Sequence, residues 1–213
     1  MFTAADYAIE HQRFGGPDFN PSRMTWIKPS FAWVLYRSGY GRKHNQERIL
    51  KIKISHKSTA SILEECACKH GGGGSLGRVQ WDPARDLFSA DGDEPRKMLR
   101  SRAIQIGIKG NLSEKYVDAV LTIEDVTALA HRVGEVHKIL AMGSNRSRRI
   151  RFESDQCASL EALPLPVERV YLPQCTNCTL ERLGMVPGET ADAVSALGRG
   201  KVGALGCRRQ QKL

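Results

Sequence analysis

The sequence predicts an α+β fold: a single domain with a small mixed or antiparallel sheet flanked by helices, and an irregular C-terminal extension. Three observations carry that prediction. Arg48–His56 and Arg102–Ile108 alternate apolar and polar residues with a period of two, as half-buried strands do. Asn111–Leu121 and Asp125–Leu140 instead repeat their apolar residues at helical spacing. Beyond Phe152 prolines multiply and periodicity fades, as in Leu163-Pro-Leu-Pro166 and Val170-Tyr-Leu-Pro173, which suits an extended segment draped over the domain.

A chain of 213 residues can bury one respectable core, so one domain is expected over 1–185, with 186–213 as a flexible basic tail. Hydrophobic content of 41% and charged content of 26% exclude the disordered class. No apolar run approaches the roughly 20 residues that cross a bilayer. The opening MFTAADYAIEHQRF lacks the basic start and apolar centre of a signal peptide. A cytoplasmic or nuclear protein with no membrane partner is therefore expected. The six cysteines then read as free thiols. Cys175-Thr-Asn-Cys178 has zinc-ligand spacing, but Cys66, Cys68 and His70 do not complete a two-plus-two pattern, so no metal is expected. A formal net charge of +9 and a pI near 9.4 favour polyanionic partners, although the tail contributes part of that excess.

Taken in order, Thr3–Arg13 reads as a short helix ended by Gly15-Gly16-Pro17. Phe19–Lys28 is extended, because Pro29 disfavours helix at the residue before it. Pro29 suits the first turn of a helix running to Arg37 or Ser38 and closed by Gly39. Phe31, Val34 and Leu35 share the face expected to be core, while Trp33 and Arg37 share another. The basic loop Ser38–Asn45 carries Gly39 and Gly41 but lacks the Gly-Lys-Ser/Thr of a Walker loop. After the strand at 48–56, Ser58–Cys68 looks helical and Gly71–Gly74 reads as a connector. Arg78–Asp82 is a second strand, stopped by Pro83 and followed by a loop holding Asp82, Arg85 and Asp86. Residues 89–97 are polar. Asn111 caps the next helix, Thr122–Glu124 is a short strand, and Asp125 caps a helix whose apolar stripe is Val126, Leu129, Ala130, Val133, His137 and Leu140. Arg146, Arg148, Arg149 and Arg151 follow as a basic cluster.

Function is read chiefly from Phe19–Arg48, which holds six of the chain's aromatic residues and six cations against one acid, Glu47. Aromatic rings interleaved with cations can stack on a planar ligand while the cations pair with phosphate. Candidate ligand residues are Arg23, Trp26, Lys28, Trp33 and Arg37, with Gln80 and Arg85 from the second strand. Each has a plainer reading beside the functional one. Trp33 can be a tryptophan at the edge of the core under the Arg37 stem, and Asp82, Arg85 and Asp86 can be a salt-bridged turn.

The runs RMTWIKPSF (Arg23–Phe31), YRSG (Tyr36–Gly39), NQER (Asn45–Arg48), VQWDPARD (Val79–Asp86), RAIQIG (Arg102–Gly107), IEDVT (Ile123–Thr127), ERVY (Glu168–Tyr171) and RLGM (Arg182–Met185) resemble, in order, the domain of unknown function 4291 family. The resemblance covers Phe14–Met185 and implies no reaction. Two departures stand out: typical members begin with a strand of the type Val-Tyr-Gln-Ala-Tyr before the first helix, and the segment between Cys68 and Arg78 is shorter and richer in glycine here. A looser, fold-level similarity to ADP-ribosyltransferases implies NAD as cofactor, Glu124 as the catalytic acid, and Arg23, Lys28 or Arg37 on the pyrophosphate. The expectation is therefore a binder of a phosphate-bearing ligand, nucleotide or RNA, whose enzymatic form uses NAD. The alternative is a non-catalytic nucleic-acid-binding module.

Overall fold

The computed structural model describes residues 3–68, 76–87, 98–142 and 160–185. In chain order its elements are α1 (Ala4–His11), β1 (Thr25–Ile27), α2 (Phe31–Ser38), β2 (Leu50–Ile54), α3 (His56–Glu64), β3 (Cys66–Cys68), β4 (Gly77–Arg85), β5 (Met98–Ile108), α4 (Asn111–Ala119), β6 (Val120–Asp125) and α5 (Thr127–Met142), then a 3-10 turn at Leu160–Ala162 and α6 (Asn177–Arg182). The strands form a mixed four-stranded sheet in the order β1-β5-β4-β3, with only β3 and β4 parallel, and a separate antiparallel pair of β2 and β6. This is the α+β architecture that the sequence predicts.

Local chemistry sets the ends of several elements. Thr3 and Asp6 close a reciprocal capping box on α1. Ser30 caps α2 through the Trp33 amide, so that helix begins two residues beyond Pro29 rather than on it. Gly39 ends it in the left-handed conformation at φ 58°, where glycine carries no Cβ penalty. The Asp125 carboxylate accepts the Thr127 amide at 2.8 Å at the start of α5, as expected for a cap. Position 110, a glycine at φ 57°, precedes α4 instead of an Asn111 cap.

Three expectations are corrected. The helix expected over Ser58–Cys68 starts at His56 and stops at Glu64, and Cys66–Cys68 is a strand paired with β4. Pro83 does not end the second strand. It pairs with Arg102 beside a register shift between Pro83 and Arg85, and a bulge is where a strand tolerates a residue without an N–H. Asp82 and Arg85 consequently stand on β4 rather than in a loop. The connector at 71–74, the polar run at 89–97, the arginines at 146–151 and the tail from 186 lie outside the described residues.

Two larger apolar clusters, with a small third one around Trp33, organise the described residues. One face of the main sheet, through Val79, Ile106 and Ile108, packs with Ile62, Leu63, Cys66, Leu112, Tyr116, Leu180, Leu183 and Met185. Segment 176–185, unassigned in the sequence reading, thus contributes a capped helix to the core, and Leu183 accepts the Trp81 indole N–H at 2.7 Å. The second cluster joins α2 to α5 through Ala32, Leu35, Tyr40, Ala130, Val133 and Val136, closed by Leu160 and Leu163. Within it, His137 contacts the Tyr40 hydroxyl through Nδ1 and the Leu87 carbonyl oxygen through Nε2 at 3.0 Å. A carbonyl only accepts, so Nε2 carries a proton.

Candidate ligand-binding face of the main sheet

In a strand, successive side chains alternate between faces, and directly paired residues share one. The register therefore builds the sheet's second face row by row. Trp26, Gly107 and Arg78 form one row across β1, β5 and β4. Gln105 and Gln80 form the next, with Lys28 just past the end of β1. Ala103 and Asp82 form the third. At its far end this face is covered by α2, where Trp33 packs against Ala84 and Ala103. Elsewhere it is polar and partly open: Trp26 is 38% exposed, and Arg78 is exposed.

Asp82 is the hub of the polar rows. Its Oδ1 accepts the Gln80 amide at 2.9 Å and its Oδ2 accepts the Gln105 amide across the strand pair. Lys28 Nζ lies 5.4 Å from the centre of the Trp33 ring. Burial holds the Lys28 ammonium below the ordinary lysine range, the nearby Arg37 guanidinium pushes the same way, and Asp82 partly opposes both. Arg85 places its guanidinium carbon 3.7 Å from the centre of the Tyr36 ring, a stacked cation–π contact. The helix that presents Trp33, Tyr36 and Arg37 is tied down from the C-terminal segment: Glu168 Oε1 accepts the Phe31 amide at 2.5 Å and the Ala32 amide at 3.4 Å, a carboxylate on the positive end of a helix.

Of the sequence's candidates, Trp26, Lys28, Gln80, Trp33, Arg37 and Arg85 belong to this face or to the helix beside it. Trp33 is 6% exposed, so its ring is a packed wall against the sheet. Trp33 is therefore buried, as is Leu35 on the opposite side, while Tyr36 and Arg37 of the same helix are exposed. Arg23 is exposed in the segment leading to β1. Glu124 lies elsewhere, on β6 of the two-stranded sheet, exposed and 2.9 Å from Lys51 Nζ. Of the other cations of the basic stretch, Arg42 pairs with Glu135, Arg48 with Asp6 and Asp125, and Lys43 donates to the Arg37 carbonyl oxygen at 2.9 Å.

The sequence-derived candidates omitted Gln105, Tyr36 and Arg78; Asp82 stands there only with Arg85 and Asp86, as an acid–base or ribose-holding loop or a salt-bridged turn, and not as the partner of the two glutamines. A signal was present for Gln105, a polar residue set between the isoleucines of Arg102–Ile108 and so destined for the other face. No curated protein and no solved structure matches the chain. A family model does match, over residues 2–171, a span that contains every residue of this face. The chain thus belongs to the family described as Domain of unknown function (DUF4291).

Proposed function

We propose that the polar face of the four-stranded sheet binds a phosphate-bearing ligand, a nucleotide or RNA. One observation carries the reading: Lys28, 5.4 Å from the centre of the Trp33 ring, lies beside the helix that presents Arg37, and among the described residues neither cation forms an ion pair. Asp82, whose charge favours the Lys28 ammonium, accepts from Gln80 and Gln105. A phosphate supplies the charge that both cations lack and accepts hydrogen bonds from each.

Calorimetric titration with ADP, NAD and a short single-stranded RNA tests this. At least one should bind, and Lys28→Gln and Arg37→Ala should each weaken it by about tenfold, the loss of one charge-assisted contact. No binding by any of the three, or binding untouched by both substitutions, overturns the reading. Affinity for RNA that falls steeply with salt would mark a nucleic-acid module.

The enzymatic form of this proposal is an NAD-using, ADP-ribosyltransferase-like reaction with Glu124 as acid. It predicts nicotinamide release from NAD that is lost in Glu124→Gln. The position of Glu124 on the second sheet, paired with Lys51, favours binding without chemistry.

A further inference from the structure

We infer that this face carries a subsite for a nucleobase bearing an exocyclic amino group, with Trp26 as its platform and Gln80 and Gln105 reading the base edge. The inference rests on the phosphate reading above and names which part of the ligand lies where.

The platform is built around a glycine. A Cβ at Gly107 would sit 3.0 Å from the Cη2 and Cζ3 atoms of Trp26 and 2.9 Å from Met24 Sδ, so the benzo end of the indole lies close over the backbone of β5. Only the smallest residue permits that approach. One side of the indole is seated on the sheet, yet 38% of the residue remains exposed. A ring seated in this way offers its free surface to another ring, and base-on-aromatic stacking is tolerant of sequence because every base has a π face. Arg78, exposed on the far side of Gly107, puts a cation beside the same platform.

Edge recognition comes from the next row, about 7 Å further along the strands. An ionised carboxylate only accepts, so Asp82 dictates the orientation of both amides: each nitrogen turns toward it and each Oε1 turns away. Such amide orientations are usually ambiguous, but here the chemistry of the partner fixes them. A base stacked on Trp26 and extending over this row meets two fixed carbonyl acceptors, which pair with the amino groups of adenine or cytosine. Uracil has no amino group and offers a single N3–H flanked by two carbonyl oxygens, which oppose the glutamine oxygens, so it pairs less well. The phosphate then falls to Lys28, Arg37 or Arg78.

Fluorescence titration of the full chain with AMP, UMP and ribose 5-phosphate tests the subsite. AMP should bind about tenfold tighter than ribose 5-phosphate, the usual worth of one stacked base, and tighter than UMP. Trp26→Leu should bring AMP down to the level of ribose 5-phosphate while leaving the latter unchanged, and Trp26→Phe should keep part of the difference; calorimetry reads these variants. Equal binding of AMP and ribose 5-phosphate by the unmodified chain overturns the subsite and leaves the phosphate reading standing. Binding of neither removes both. Equal binding of AMP and UMP refutes the role of the glutamines. Oligoadenylate binding far tighter than AMP, with steep salt dependence, identifies the nucleotide as part of a strand, whereas equal binding identifies a free nucleotide.

Discussion

The two faces of the main sheet are written in the same strands and have opposite fates. In β5, Ile104, Ile106 and Ile108 point to a core roofed by α3, α4 and α6, while Ala103, Gln105 and Gly107 point the other way, to a face with an aspartate, two glutamines and an indole at its surface. The first face is closed by apolar contact and is specified by volume. The second is specified by hydrogen-bond direction, one small residue and a covering helix. Stability should therefore reside mainly on one side and recognition on the other, with one exception that tests the division.

That exception is Trp33. It lies on the recognition side but is buried with Ala84 and Ala103, so Trp33→Ala should cost roughly 3–5 kcal/mol in a urea melt. Trp26→Leu, at an exposed position, should cost under about 1 kcal/mol. Equal costs would mean that α2 does not cap the sheet as described. On the apolar face, Ile108 is fully buried, and Ile108→Ala should cost roughly 2–5 kcal/mol with no effect on the phosphate contacts beyond that of lost stability.

Asp82→Ala should come next, at about 1–3 kcal/mol, because it strands two amides of which one, Gln105, is buried. Its sharper readout is recognition. Freed glutamines can rotate, so discrimination between AMP and UMP should fade even where overall affinity rises, since a negative charge that would repel phosphate has gone. Retained discrimination in Asp82→Ala would show that the carboxylate does not set the amide orientations.

How much of this was legible follows from which interactions are local. β5 was plain because Ile104, Ile106 and Ile108 alternate, α1 and α2 because their apolar sides and the Gly/Pro signals that bound them are local, and α5 because of its apolar stripe and the Asp125 cap. β3 was not, since Cys66-Ala-Cys68 has no alternation and directly follows a helix whose pattern it extends. Pro83 misled because a bulge depends on the partner strand. At the site, Trp26, Lys28 and Gln80 could be nominated from composition, but the role of Asp82 depends on Gln105, 23 residues away, and so on a register no single segment encodes. Trp33 could be read either as a ring at the edge of the core under the Arg37 stem or as a ligand-stacking ring, and its burial against Ala84 and Ala103 depends on a sheet that lies far off in sequence.

The smallest expected effect concerns the proton on Lys28. Burial and Arg37 lower its pKa in the folded chain, while in the unfolded chain it returns to the ordinary lysine value. Between those two values the unfolded state binds more protons than the folded one, so stability rises with pH through that window; below it, the folded state carries the full penalty of the buried charge. Lys28→Met removes the penalty. It should therefore be more stable than the unmodified chain at neutral pH, and the gap should shrink as pH rises through the depressed pKa. Ligand binding should run opposite, because phosphate needs the ammonium: affinity should fall over the same window in the unmodified chain and stay level in Lys28→Arg, whose guanidinium does not titrate there. A stability gap independent of pH would mean that Lys28 is neither buried nor crowded by Arg37, and with that the contrast between a packed side and a charged, receptive side would lose its electrostatic half.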